Sequence, residues 1–175
     1  MASSSSSFSL SSPISPQQKY EIQEKYDVFL SFRGKDTRYK FVSHLYAALF
    51  AKYISTFKDD HELQVDDEIS PTLNQAVQNS KIGVIIFSKD YASSTWCLNE
   101  LVEILECKKR NKMSVVIPIF YEIDPSDVQK QKGSYEVAFA KLGERFKDRM
   151  EKVHQWKAAL TEASNLIGLN STKSR

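Results

Sequence analysis

Apolar and polar positions along the chain follow two alternating periods. "YDVFLSF" (26–32), "ISTF" (54–57), "IGVIIF" (82–87) and "SVVIPIFY" (114–121) are short β-branched and aromatic runs, the signature of buried strands. Between them the spacing turns helical. Phe41, His44, Leu45, Ala48 and Leu49 form a stripe within "YKFVSHLYAALFAK". "PTLNQAVQNS" opens with Ser70 as N-cap and Pro71 at the first helical position. "SYEVAFAKLGERF" and "HQWKAALTEASNLIG" supply two later helices. In "RGKDTR", Gly34 permits a sharp turn after the first strand and Asp36 can cap the helix that follows. "EIDPSDVQKQKG", punctuated by proline and glycine, reads as a loop. This alternation predicts an α/β fold: a doubly wound, mostly parallel sheet of four to five strands with helices on both faces. A fifth strand would be too short to read. Ligands of such sheets bind beyond the carboxyl ends of the strands, where strand order reverses, which selects the loops after Phe32, Phe57, Phe87 and Tyr121.

One helical pattern, "SSTWCLNELVEIL" (93–105), carries chemistry at that edge. Leu98, Leu101, Val102 and Leu105 make its apolar stripe, and Trp96, Glu100 and Glu103 cluster opposite. Glu100 is therefore expected to face away from the core, so that its removal leaves the fold intact. Taken alone, the pair Trp96 and Glu100 fits either a solvated helix face with one stray aromatic or the wall of a site. Glu103 and Glu106 read as solvated face.

Composition narrows the picture. The chain has 175 residues, 41% of them hydrophobic, enough for one domain with a sizeable core. Its net charge of +2 comes from interspersed signs, and the run Lys108-Lys109-Arg110 suits a helix C-terminus, so neither a nucleic-acid nor a membrane partner is indicated. Cys97 and Cys107, about 15 Å apart on one continuous helix, cannot bridge each other and are expected as free thiols of a reducing compartment. No apolar run reaches the ~18 residues of a membrane span. Residues 1–24, serine-rich and proline-punctuated, are expected to be disordered, a targeting peptide being the lesser reading. Neither standard phosphate-binding glycine motif occurs, and His44, His61 and His154 are too scattered for a zinc site; no metal is expected. The first strand ends in Ser31-Phe32-Arg33 rather than a carboxylate pair, which weighs against a phospho-acceptor receiver.

The motifs "YDVFLSFRGKDTR", "STFKDDHEL", "EISPTL", "VIIFSKDYASSTWCLNELVEI", "VIPIFYEIDPSDV" and "WKAALTEASNLIG" run in order from Tyr26 to Gly168. In them the chain closely resembles the Toll/interleukin-1 receptor/resistance (TIR) domain of plant intracellular immune receptors. The resemblance implies a flavodoxin-like domain over residues 25–168, followed by a flexible tail at 169–175. It implies cleavage of the nicotinamide–ribose bond of NAD⁺ or NADP⁺, as substrate rather than cofactor, activated by self-association in innate immune signalling. The products would be nicotinamide and ADP-ribose or its cyclic forms. A non-catalytic module that recruits other TIR domains is the alternative. By motif position Glu100 would be catalytic, and Trp96, Phe32, Arg33, Gly34 and Ser94 would line the substrate. Ser43 and His44, on the first long helix, would serve self-association with a second copy or another TIR domain; a partly buried, hydrogen-bonded His44 is the alternative. The location implied is cytoplasmic, or nuclear.

The physical chemistry of these residue types agrees. A carboxylate stabilises an oxocarbenium-like state, an aromatic face stacks on a cationic nicotinamide, and a guanidinium fork matches a pyrophosphate. Five positions depart from residues common in the family. Val65-Asp66 stand for arginine-glycine after the second strand, Tyr53 for a glycine before it, Glu136 for a late-helix glycine, and Lys35 for an acid. Together they point to weak or context-dependent catalysis with Glu100 and Trp96 intact.

Overall fold

A computed structural model of the chain describes residues 25–59 and 68–173. The segment 1–24 expected to be disordered lies outside the described residues, as do Val65-Asp66. Five strands form one all-parallel sheet: β1 (Tyr26–Phe32), β2 (Thr56–Lys58), β3 (Ser80–Phe87), β4 (Val115–Phe120) and β5 (Leu169–Asn170), in the order β2-β1-β3-β4-β5. Strand order reverses between β1 and β3, so the switch point lies where Phe32 and Phe87 end their strands.

Strand alternation divides the core in two. Phe29, Ile85, Phe87, Val116 and Phe120 point to one face, and Val28, Leu30, Phe32, Val84, Ile86 and Ile119 to the other. The first face is covered by α3 (Pro71–Gln78), α4 (Thr95–Lys109), α6 (Ser134–Arg145) and α7 (Met150–Ser164). Ser70 caps α3 as predicted, its Oγ accepting the Leu73 N–H at 3.2 Å with Pro71 next in line. The second face receives α2 (Ser43–Ala51), which is entered through α1 (Gly34–Thr37) and a π-helical turn at Arg38–Val42.

Several expectations need correction. Asp36 does not cap a helix; Arg33 occupies the N-cap of α1, and Asp36 Oδ2 instead accepts the Asp90 N–H at 3.0 Å. That bond ties the loop after β1 to the loop after β3. The α2 stripe is narrower than its periodicity suggested, since His44 and Ala48 are exposed while Phe41, Leu45 and Leu49 are half-buried. "EIDPSDVQKQKG" contains a helix, α5 (Pro125–Lys130), with Asp124 Oδ1 accepting the Ser126 N–H at 2.8 Å and Pro125 in the first turn. The expected tail at 169–175 holds β5, and Ser171 Oγ accepts the Glu122 N–H at 2.9 Å.

Two backbone positions matter later. Tyr53, where the family commonly has glycine, sits at φ 58°, in the left-handed region that disfavours a side chain. At the other end of the sheet, a Cβ at Gly168 would collide with the Pro118 carbonyl, so only glycine lets the chain pass so close to β4.

Candidate functional site

The site is assembled where β1, the turn after β3 and the first turns of α4 meet. Ser31, the serine in "YDVFLSF", lies on the side of β1 that faces α4 and is fully buried. Its Oγ donates to Glu100 Oε2 at 2.5 Å, and the same oxygen lies 2.9 Å from the Tyr91 hydroxyl. Tyr91, in a 3-10 turn after β3 and fully buried, donates to the Cys97 carbonyl at 3.0 Å. The Cys97 thiol donates to the Phe32 carbonyl at 3.4 Å. Ser94 caps α4, its Oγ accepting the Cys97 N–H at 3.2 Å.

Glu100 is 2% exposed, which corrects the expectation that it faces away from the core. The stripe read from spacing put Glu100 on the outer side, whereas its carboxyl points to Ser31 on β1, towards the sheet. Helix α4 is flanked by α3 and α7 and lies on β1 and β4, so residues on most of its circumference are buried. Burial pushes the Glu100 carboxyl up to about 8, helped by the nearby Asp59 charge and opposed by donors on Ser31 and Trp96. Burial also raises the Cys97 thiol and the Tyr91 phenol, so both are neutral at physiological pH. Removal of Glu100 would therefore open a cavity as well as delete a charge.

Trp96 is half-buried at the rim, and its Nε1–H donates to Asp59 Oδ2 at 2.7 Å, linking α4 to the end of β2. Arg33 is also half-buried, and its Nε is a buried donor with no partner; Asp36 Oδ1 and Ser88 Oγ are likewise unpaired buried atoms at the sheet's carboxyl edge. All three follow the carboxyl ends of β1 and β3, the edge at which ligands of such sheets bind. Gly34 is the buried first residue of α1. The ring of Phe32 goes the other way: it belongs to the α2-side core, with the Arg38 guanidinium 5.6 Å from its centroid. Only its carbonyl reaches the Glu100 cluster. Ser43 and His44 are not part of this site. Both are exposed on α2, with Ser43 Oγ donating to the Lys40 carbonyl at 2.9 Å, so the half-buried reading of His44 fails. Glu103, expected on a solvated face, is half-buried and accepts from the Gln78 amide at 3.4 Å and the Cys107 thiol at 3.5 Å.

Ser31, Tyr91 and Asp59 were missed by sequence reasoning. Ser31 had a signal, a single hydroxyl at an inward position of an apolar strand. Tyr91 and Asp59 lie in the loops after Phe87 and Phe57 that the switch-point rule selects, but nothing local singles them out, because their partners stand 6 to 60 and 37 residues away.

Fold and site together define a doubly wound α/β domain with a buried acid at its switch point. The chain belongs to the TIR family: the profile described as "TIR domain" matches residues 25–175. Disease resistance protein RUN1 of Vitis rotundifolia is 53% identical over 145 residues, covering 82% of this chain and 11% of that protein. TMV resistance protein N of Nicotiana glutinosa is 51% identical over 143 residues, covering 82% of this chain and 12% of that protein. This chain thus spans only a small fraction of the relatives' length. Among solved structures, the TIR domains of the activated Roq1 resistosome, which directly recognizes the pathogen effector XopQ, match with a TM-score of 0.77 at 49% identity. That match covers 86% of this chain and 90% of that one. Among the described residues, no helix is long and apolar enough to cross a membrane.

Proposed function

We propose that this domain cleaves the nicotinamide–ribose bond of NAD⁺ or NADP⁺ when self-associated, within plant disease-resistance signalling. The observation that carries the reading is a glutamate at the sheet's switch point, flanked by a rim tryptophan and an unpaired arginine Nε. As a carboxylate, Glu100 would stabilise the oxocarbenium-like ribose as neutral nicotinamide leaves. Because the leaving group departs uncharged, no general acid is required, and the ionised form of Glu100 is the useful one. Trp96 offers a face for the cationic ring, and Arg33 a fork for the phosphates. Products would be nicotinamide and ADP-ribose or a cyclic form, with no metal in the chemistry.

The burial of Glu100 in the single domain supports the requirement for association, since substrate must reach a carboxyl that is 2% exposed. The exposed Ser43 and His44 on α2 offer a surface for a second copy or for another TIR domain. The same two observations also support the rival reading, a recruiting module without turnover.

The test is nicotinamide release from NAD⁺ by the chain tethered on beads, beside Glu100→Ala and the near-isosteric Glu100→Gln, with circular dichroism to verify folding. Expected is turnover by the wild type and at least a ~100-fold loss in both folded variants, the scale of removing one preorganised charge stabiliser. Association without turnover in any of the three would favour the recruiting module.

A further inference from the structure

Ser31, Tyr91 and Glu100 come from three separate elements, are essentially closed to solvent, and share more contacts than they have protons. Three oxygen–oxygen contacts run in series: Glu100 Oε2 to Ser31 Oγ at 2.5 Å, Ser31 Oγ to Tyr91 OH at 2.9 Å, and Tyr91 OH to the Cys97 carbonyl at 3.0 Å. The carbonyl can only accept. With Glu100 ionised, two hydroxyl protons must serve three contacts, and one short contact is left as bare oxygen against oxygen. With Glu100 protonated, its own O–H donates to Ser31, Ser31 donates to Tyr91, and Tyr91 donates to the carbonyl. Every contact is then served. In a buried chain that difference counts, because no water can fill the missing bond.

We propose that Tyr91, acting through the Ser31 hydroxyl, is a positioning residue that holds Glu100 as the neutral acid in the resting domain, while Ser31 is the donor the carboxylate needs, so that the carboxylate forms only when the Ser31–Tyr91 contact is rearranged. The inference rests on the reading of Glu100 as the cleaving carboxylate, and adds a proton lock to it. Opening the lock releases the Glu100 proton to solvent; no bond to carbon changes. The groups facing Glu100 pull both ways. Asp59, beyond β2, opposes ionisation, while the Trp96 indole favours it. Tyr91 and Cys97 are neutral, and Arg33 and Asp36 beyond β1 act on Cys97 with opposite signs. The other elements against α4 spend their polar groups elsewhere: Gln78 of α3 on Glu103, Trp156 of α7 on Asn99 and Glu162 of α7 on Lys109; β4 presents the apolar Val116 and Phe120.

The two residues pull in opposite directions, and that is the means of test. Tyr91→Phe removes the acceptor that competes for the Ser31 proton, freeing Ser31 to donate to the carboxylate. Ser31→Ala removes the carboxylate's own donor. The Glu100 titration is read in the whole chain by carbon-13 NMR of glutamate labelled at the side-chain carboxyl, assigned by loss of the signal in Glu100→Gln. The pH profile of nicotinamide release by the tethered chain is measured alongside. Expected is a midpoint lowered by about one unit in Tyr91→Phe and raised by a similar amount in Ser31→Ala, with the acid limb of the rate profile following both. A packing defect alone would not shift the two midpoints in opposite senses. Unmoved midpoints, or two shifts of the same sign, overturn the proposal. Opposite NMR shifts in a chain without any turnover would uphold the proton lock and remove the NAD⁺ reading instead.

Discussion

The two faces of the sheet are built to different standards. On the α4 face, α3, α4, α6 and α7 close over a continuous core that includes fully buried Trp156, Tyr91, Tyr135 and Phe146, with the Trp156 and Phe146 rings edge-to-face at 5.1 Å. On the α2 face a single long helix, none of whose residues is buried, leaves Ile82, Ile117 and Tyr121 half-covered and Phe50 73% exposed. The acid, its hydroxyl partners and the capping serine all belong to the thick side; the exposed Ser43 and His44 belong to the thin one. A buried carboxyl needs dense surroundings to hold its partners at fixed distances, whereas a contact surface needs side chains left uncommitted. On the proposed reading, chemistry and association would divide between the two faces of one sheet.

The sharpest way to break this comparison is to cut both sides equally. Trp156→Ala should cost about 3–5 kcal/mol, by loss of burial and the cavity left behind. Phe50→Ala should stay within about 0.5 kcal/mol, as exposed sites do. Urea unfolding followed by fluorescence and circular dichroism checks both, and comparable losses would mean the thin face is not thin. Next in size is Glu100→Gln. Because burial lifts the folded-state carboxyl from 4.5 to about 8, its contribution is whole below pH 4.5 and lost as pH rises through about 8. The amide has no proton to lose, so Glu100→Gln should gain about 4 kcal/mol over wild type at pH 7.5 and almost nothing at pH 4.5. Melting temperatures at the two pH values decide it; a pH-independent difference would mean Glu100 ionises freely. The smallest effect belongs to the thin side. Tyr53→Gly, at φ 58° and 97% exposed, should stabilise by about 1 kcal/mol, and a loss in the same denaturation measurement would show Tyr53 packing on something.

The strands were legible because β1, β3 and β4 are unbroken apolar runs, and parallel strands covered on both faces have no other pattern. Two elements were not. The two residues of β5 carry no period at all, and α5 was hidden by the Pro and Asp of its own start, since Asp124 and Pro125 signal a turn as well as they signal an N-cap. At the site, the spacing of Trp96 and Glu100 located the right helix and the right edge. Periodicity set the inward side of α4 at Leu98, Leu101, Val102 and Leu105, whereas the sheet buries the side through Cys97, Glu100, Leu101 and Ile104, and so Glu100 read as outward. The Ser31–Tyr91 contact spans 60 residues and leaves no local trace.

Pro118 interrupts β4, whose outer edge meets β5 only at Ile119 and Phe120. Its carbonyl points to Gly168, and since both polar groups of an extended residue point to one side, the missing N–H also belongs to that outer edge. An incoming strand would find a donor gone and the backbone of Gly168 already in place. Most open sheet edges invite a ladder from a foreign chain, which is the first step towards fibres. That edge is blunted, so if copies of the domain gather as proposed, crowding favours contacts between helices and loops over runaway strand addition.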